Sequence, residues 1–113
     1  MVNSIEKGKR GEREFAKCCI EHGYDCRRGQ QFNGLEGEDI VGLPFVHVEV
    51  KRVEKLNIDD ALSQSKKDAD GKIPIVAHRK NNTRWKITMD AEDWFKLYRE
   101  FEASMSLRGV NDE

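Results

Sequence analysis

Hydrophobic and polar residues alternate most regularly between residues 45 and 52 of this chain. Valine occupies positions 46, 48 and 50, and the residues between them are His47, Glu49 and Lys51. This period of two predicts a strand that turns its valines into the core and its polar residues toward a chemical site. The Gly-Leu-Pro at positions 42–44 predicts a turn, so residues 39–41 are expected to fold back beside the strand and bring Asp39 near Glu49.

Three other segments carry apolar residues at helical spacing. The first helix is predicted over residues 4–22 and ends before Gly23, and the second follows the cap Asn57 over residues 58–70. The third follows the cap Asp90 and carries an aromatic stripe, which is more typical of a core or a dimer contact than of a ligand site. The stripe consists of Trp94, Phe95, Tyr98, Phe101 and Met105.

The remaining strands are predicted over residues 24–28 and in a hairpin of residues 73–78 and 84–89. Pro74 restricts the first hairpin strand to its start or to a sheet edge. The order α-β-β-β-α-β-β-α predicts one α/β domain with a mixed central sheet flanked by helices. We assign residues 1–105 to this domain and residues 106–113 to a polar C-terminal tail.

Composition narrows the class of protein. The 113 residues are 36% charged and 37% hydrophobic, and no apolar run approaches the roughly 20 residues of a membrane span. Without a signal-peptide core, a cytoplasmic protein is expected, with no membrane partner. The three cysteines lack CxxC spacing and are predicted to be reduced and structural, and the three histidines are too isolated to support a structural zinc.

The net charge of −1 argues against a protein that coats DNA unspecifically. The charges are nevertheless segregated, because residues 72–89 contain five bases and no acid. These bases are Lys72, Arg79, Lys80, Arg84 and Lys86. Segregation suits a surface that faces phosphates, and the alternative is a hairpin whose bases protect a sheet edge from pairing.

Asp39 and Glu49, on either side of the predicted turn, are two negative charges that are expected to lie close together. Two carboxylates about 4 Å apart repel by about 4 kcal/mol at an effective dielectric constant near 20. A bound Mg²⁺ would explain such a pair of Asp39 and Glu49, and Lys51 would add a mobile positive charge. The alternative is a solvated strand face with alternating charges.

Glu12 poses the same question on the first helix, because it lies in register with the less polar stripe. It either pairs with a lysine or arginine of the same helix or faces Asp39 and Glu49. Gly8 and Gly11 flank it and leave room for the helix to approach a strand.

Asp39, Glu49 and Lys51 resemble the D…ExK signature of the PD-(D/E)xK nuclease superfamily. Residues 7–13, KGKRGER, resemble the KGxxxER that opens the first helix in the Holliday junction resolvase branch and in related small phage and prophage endonucleases. The resemblance spans roughly residues 4–101. One departure is Glu38 in place of the proline before Asp39, a position that varies in the superfamily and holds no metal.

The resemblance implies a restriction-endonuclease-like core and a Mg²⁺-dependent DNA endonuclease, with Mn²⁺ as a substitute and no organic cofactor. Its substrate would be branched double-stranded DNA, Holliday junctions above all, cleaved by a homodimer in the cytoplasm of the cell or of a phage host. Asp39, Glu49 and the Val50 carbonyl would bind the metal, Glu12 would assist through the metal or its waters, and Lys51 would orient the attacking water or stabilise developing charge. The alternatives are a nuclease for flaps, single strands or duplex sequences, and a non-catalytic DNA-binding protein on this fold.

The candidate DNA contacts lie on the first helix, the first strand, the glycine-bounded loop of residues 29–34, the second helix and the basic hairpin. The loop could equally be a connector, and the glutamine of the second helix could be a plain surface residue. These candidates are Lys9, Arg10, Arg27, Arg28, Gln30, Gln31, Phe32, Gln64, Arg79, Lys80 and Arg84.

Overall fold

Eight elements follow one another in the predicted order in a computed structural model that describes residues 4–29 and 39–109. They are α1 (Ser4–Glu21), β1 (Arg27–Arg28), β2 (Ile40–Val41), β3 (Val46–Arg52), α2 (Ile58–Asp68), β4 (Ile73–Arg79), β5 (Lys86–Thr88) and α3 (Ala91–Leu107). The order and the α/β class of the sequence prediction are therefore confirmed. Strand β1 is shorter than predicted, and α3 extends two residues into the segment assigned to the tail.

The sheet is mixed because β3 and β4 run parallel while β4 and β5 run antiparallel. The parallel pair needs a crossover connection, and α2 supplies it. Pro74 lies at the second position of β4, which agrees with the predicted restriction to a strand start.

The predicted hairpin between residues 39–41 and β3 is wrong in its pairing. Strand β2 forms its antiparallel ladder with β1, with Arg28 opposite Ile40. Gly42 explains this path, because it adopts a φ of +117° and a Cβ there would lie 2.5 Å from the carbonyl oxygen of Asp25. The turn after β2 is thus packed against the segment that leads into β1, and residue 39 is bonded to β3 through its side chain.

Both faces of β3 are covered by helices. Phe15, Ala16 and Cys19 of α1 pack against one face, on which Val48 and Val50 lie. On the other face the single hydroxyl proton of Ser65 in α2 is shared between the carbonyl oxygens of His47 and Ile75, which lie 3.2 Å and 3.0 Å from its Oγ. The prediction that one face of β3 is core and the other is a chemical surface is therefore too simple, since His47 is only 3% exposed. Helices on both sides of a parallel pair cause this double burial.

Gly11 lets α1 approach β3 closely. A Cβ at this position would lie 3.0 Å from the Cβ of Arg52, whereas a Cβ at Gly8 would meet nothing within 4 Å. The expected close approach is thus provided by one of the two glycines. It places the next residue, Glu12, beside the edge of the sheet.

The N-caps of α2 and α3 are the two residues that the sequence predicts, Asn57 and Asp90. Asn57 Oδ1 accepts a hydrogen bond from the backbone N–H of Asp60, as expected of an N-cap. Asp90 holds the N-cap position of α3 without a side-chain hydrogen bond to the helix, and its carboxylate instead pairs with Lys66 Nζ at 2.6 Å. This ion pair connects the start of α3 to α2.

The aromatic helix α3 contributes no buried residue. Of the two interpretations of its stripe, a core helix is wrong for this chain, because Trp94, Phe95, Tyr98 and Phe101 are all exposed. Within the described residues, none of the helices has the length and apolar character needed to span a bilayer.

The cysteines agree with a structural role. Cys18, Cys19 and Cys26 are free thiols, and the last two are buried. Burial raises the pKa of Cys19 to about 12, with a further contribution from Cys26. A thiol with so high a pKa is a poor nucleophile.

Phe45 combines an exposed ring with a strained backbone. Its φ is +69°, its side chain is 82% exposed, and its carbonyl oxygen accepts a hydrogen bond from Ile73 N at 3.0 Å. The left-handed conformation costs a bulky residue about 1–2 kcal/mol, while glycine loses roughly 0.5–1 kcal/mol of chain entropy on folding. We therefore expect Phe45→Gly to increase the free energy of unfolding by up to about 1 kcal/mol in urea denaturation.

The matched control is Phe45→Ala, which removes the ring but keeps the strain and should change the free energy of unfolding little. If both variants are less stable than wild type, the ring makes a stabilising contact. If Phe45→Gly is no more stable than Phe45→Ala, the backbone strain at residue 45 is smaller than the entropy that glycine loses on folding.

Candidate active site

An acidic cluster lies at the edge of β3 that faces away from β4. Asp39, the residue before β2, accepts a hydrogen bond at its Oδ2 from the backbone N–H of Val50 at 2.7 Å. Glu49 lies next to Val50 along the same strand. The predicted proximity of Asp39 and Glu49 is thus achieved through a side chain bonded to the strand backbone.

Glu49 is the more strongly perturbed carboxyl group. Its side chain is 14% exposed, and Lys51 Nζ lies 3.6 Å from its Oε1. Burial is the main reason that its pKa rises to about 7, and the charge of Asp39 adds to the increase while Lys51 opposes it. Burial also raises the pKa of Asp39, although the hydrogen bond from Val50 works in the opposite direction.

Glu12 reaches this edge of the sheet from α1. Its Oε1 lies 3.0 Å from Nε of Arg28 in β1, and the charge of Arg13 on its own helix also lowers its pKa. Burial raises the pKa of Glu12 most, and Asp39 is the next cause. Glu12 therefore lies within electrostatic reach of Asp39, as the sequence suggested, while Arg28 offsets part of its charge.

The backbone of Val50 adds an oxygen to the same edge. The N–H and C=O of one strand residue point to the same side of the strand. Because the Val50 N–H is directed at Asp39, its carbonyl oxygen also faces the acidic cluster. Asp39, Glu49 and this carbonyl thus supply only oxygen donors, which are the ligands that Mg²⁺ prefers.

The donor set fits a hydrated hard cation better than a fully enclosed metal. Within residues 4–29 and 39–109, no three side chains of His, Cys, Asp or Glu are grouped as in a preformed metal site. Mg²⁺ usually keeps several waters and takes one or two carboxylates from the protein. Two partly buried carboxylates that raise each other's energy, with one lysine beside them, match that requirement.

A cleft of about 400 Å³ opens beside Lys51, between the end of β3 and the start of α2. Its lining includes Lys55, Asn57 and Gln64. Gln64 donates a hydrogen bond from its Nε2 to Asp68 Oδ2 at 2.8 Å. The oxygen of the same side-chain amide therefore points away from Asp68. Lys55 was missed in the sequence, where the only signal was its closeness to Lys51 and Arg52.

The basic hairpin meets the sheet near the same end. In the parallel ladder Lys51 is opposite His78, and Arg52 is opposite Arg79. Side chains alternate along a strand, so Arg79 lies on the face opposite to Lys51, where its guanidinium is 5.8 Å from the centre of the Trp85 ring. Glu54 Oε2 accepts a hydrogen bond from Asn81 N at 2.6 Å and ties the turn to the segment after β3.

The other candidate DNA contacts are scattered around this centre. Arg10, Arg27, Lys80 and Arg84 are exposed, Lys9 is half-buried, and Arg28 is engaged by Glu12. Gln30, Gln31 and Phe32 lie outside the described residues.

Comparisons with known proteins bear on the fold. No protein-family model matches the sequence, and no curated protein matches it. Among solved structures, the chain is similar to Hjc, a Holliday junction resolvase from the archaeal hyperthermophile Archaeoglobus fulgidus. The similarity covers 74% of this chain and 72% of that protein, with a TM-score of 0.52 and 22% sequence identity.

The chain has a Holliday junction resolvase fold. The resemblance found in the sequence is thereby confirmed at the level of the fold. In this chain the acidic cluster, Lys51 and the cleft beside it occupy one region, which is the candidate active site.

The raised pKa of Glu49 predicts how the stability of the metal-free protein depends on pH. A carboxyl group whose pKa rises from 4.5 to about 7 on folding binds more protons in the folded state. Its contribution therefore favours folding least at high pH, and stability is lost as the pH rises from about 4.5 to about 7. At pH 8 in EDTA, we expect Glu49→Gln to increase the free energy of unfolding by roughly 1–3 kcal/mol.

The gain should disappear below about pH 4, where wild-type Glu49 is largely protonated in both states. Glu100→Gln, which neutralises an exposed carboxylate on α3, serves as the control in the same urea titrations. A Glu49→Gln protein that is less stable than wild type at pH 8 would show that the ion pair with Lys51 outweighs the cost of burial.

Proposed function

We propose that this protein is a metal-dependent DNA endonuclease that hydrolyses phosphodiester bonds in branched DNA, with the four-way Holliday junction as its main substrate. The observation that carries the proposal is the hydrogen bond from Val50 N to Asp39, which joins Asp39 to the strand that bears Glu49 and Lys51. The resolvase-like fold supports a nuclease, and these three residues support its chemistry. We also propose a cytoplasmic location, in the host if the protein is phage-encoded.

Asp39, Glu49 and the carbonyl oxygen of Val50 would hold Mg²⁺, or Mn²⁺ in its place. When bound, such an ion lowers the pKa of a coordinated water and offsets charge on the scissile phosphate. The carboxylates themselves repel a phosphate, so the cation is what makes this edge of the sheet suitable for DNA. Glu12, held by Arg28, would accept hydrogen bonds from waters near Asp39.

Lys51 would act on the phosphate or on the attacking water. Its side chain is 40% exposed, and its Nζ lies 3.6 Å from Glu49 Oε1, which is a loose contact for an ion pair. A lysine held so loosely can turn from the carboxylate to a phosphate oxygen without breaking a short hydrogen bond. It would then orient the nucleophile or stabilise negative charge that develops in the transition state.

The contacts outside the reaction centre would come from two positive regions. Lys55 and Lys51 border the cleft at the start of α2, and Lys80 and Arg84 are exposed on the basic hairpin at the same end of the sheet. Bases in these positions would follow the phosphate backbone on either side of the cleavage point. Symmetrical strands of a junction require two active sites, so we propose that the protein acts as a homodimer.

Neutralising either carboxylate should separate cleavage from binding. Asp39→Asn keeps an oxygen that can accept the hydrogen bond of Val50, and Glu49→Gln keeps the shape of its side chain. Each should reduce cleavage by at least about a hundredfold and leave junction affinity equal or higher, because less negative charge opposes the phosphates.

Asp59→Asn, on the exposed first turn of α2, is the matched control and should retain activity. Binding is measured by gel-shift titration in Ca²⁺, and folding by circular dichroism. Folded variants that lose junction binding at low salt would identify the two carboxylates as structural groups.

A substrate panel tests the function itself. Labelled four-way junction, flap, single strand and linear duplex are incubated with the protein in Mg²⁺, in Ca²⁺ alone and in EDTA. We expect the junction to be cut fastest in Mg²⁺, with no cleavage in the other two conditions. Full activity in EDTA would exclude the metal mechanism.

The panel also distinguishes the alternatives. Faster cleavage of flap, single strand or duplex would assign another substrate to the same active site. Junction binding without cleavage in Mg²⁺ or Mn²⁺ would indicate a non-catalytic DNA-binding protein.

A further inference from the structure

Helix α3 exposes an apolar face that the rest of the described chain leaves uncovered. The rings of Trp94, Phe95, Tyr98 and Phe101 are between 42% and 58% exposed, and no residue of the helix is buried. The rings contact one another, since Trp94 stacks on Tyr98 with 5.1 Å between ring centres and meets Phe95 edge-on at 4.9 Å. They form one continuous surface, which we call the α3 face together with Leu97 and Met105.

The spacing of the α3 face matches a two-helix seam. Ala91, Trp94, Tyr98, Phe101 and Met105 follow one another at intervals of three, four, three and four residues. This is the heptad spacing with which one helix packs along another. A helix that only touched its own sheet would need no such repeat over its whole length.

The helix also stands away from the body of the protein. Asp90 and Lys66 hold its first turn to α2. The molecule measures 57 × 32 × 27 Å, and a helix of this length contributes about 25 Å. Within residues 4–29 and 39–109, none of the other helices and strands packs extensively against α3, which leaves the helix accessible.

The size of the α3 face suits a dimer contact. A fully buried aromatic side chain hides roughly 150–250 Å², and about half of that is accessible on each of the four rings. With Leu97 and Met105, one copy offers roughly 500 Å² of apolar surface, so two copies would together bury at most about 1,000 Å², which reaches the lower bound of about 1,000 Å² expected of a biological interface. A monomer rarely exposes a continuous apolar patch larger than a few hundred Å².

We propose that the α3 face is covered by α3 of a second copy of this chain, in an antiparallel helix pair centred on Tyr98. This identifies the surface of the homodimer and rests on the dimer named in the proposed function. Around a two-fold axis at Tyr98, Trp94 of each copy comes close to Phe101 of its partner. Aromatic packing of this kind is typical of the energetic centre of an interface.

Charge favours the antiparallel arrangement. The first turn of α3 carries Glu92 and Asp93, and its last turn contains no base. A parallel pair would place the acidic first turns of both copies side by side, whereas an antiparallel pair keeps them at opposite ends. The antiparallel arrangement also aligns the two helix dipoles favourably.

The test measures oligomeric state and cleavage separately. Wild type, the double variant Trp94→Glu/Phe101→Glu and the control Leu107→Glu are compared by sedimentation equilibrium without DNA. Leu107 is 89% exposed on the same helix but lies outside the heptad seam, so it receives the same chemical change away from the proposed contact. The milder variant Trp94→Ala/Phe101→Ala guards against a folding defect, and circular dichroism and the melting temperature verify the fold.

We expect wild type and the Leu107→Glu control to form dimers with similar Kd values. In the double glutamate variant the Kd should rise at least about a hundredfold, and in the alanine variant by at least about tenfold. The folded monomeric variant should still nick a junction in Mg²⁺, but it should lose the paired cuts that wild type makes in one binding event.

A wild type that stays monomeric at all concentrations, or a dimer that the seam variants do not weaken, would overturn the assignment of α3. Both of these results would leave the nuclease function open to its own test. A dimer that dissociates in the variants but never cleaves DNA would instead uphold the α3 contact and contradict the proposed activity.

Discussion

The hydrogen bond between Val50 N and the Asp39 carboxylate is the interaction on which the candidate site depends. Strand β2 is bonded to β1, so this one contact brings the acid that precedes β2 to the strand that carries Glu49 and Lys51. The bond also partly opposes the desolvation that raises the pKa of Asp39. A charged acceptor gives a stronger bond than a neutral one, and this bond adds to the packing of Ile40 in the same core cluster as Val48 and Val50.

The burial of β3 gives the acidic cluster its chemical character. A strand between two helices removes Glu49 from water on the α2 side, while Glu12 loses water at the edge that α1 covers. Both carboxyl groups consequently resist ionisation, and Lys51 and Arg28 relieve only part of that cost. A site with a deficit of positive charge favours a cation and, through it, a phosphate.

The apolar pattern of helix α3 is left uncovered within the described part of the protomer. Its aromatic residues have the spacing of a buried helix, yet the body already has α1 and α2 on the two faces of β3. Among residues 4–29 and 39–109, both faces of β3 are already occupied by helices, so the stripe of α3 remains exposed there. In a dimer, each copy would cover the apolar stripe of the other copy's α3. The two copies would also supply two active sites for symmetrical strands.

The sequence by itself determined the element order and the α/β class, and it singled out Asp39, Glu49 and Lys51 as candidate site residues. It could do so because periodicity, caps and short motifs are local properties. Tertiary structure alone decided that β2 pairs with β1, that His47 is buried, and that Arg28 is the partner of Glu12. Each of these depends on which segments meet across long separations in the chain. The burial of His47 in particular could not be predicted, because residue types alternate in the same way in a strand covered on one face and in a strand covered on both. The exposure of α3 could not be predicted for the same reason. An apolar stripe indicates that one face of a helix packs against another surface, but it does not indicate which surface that is.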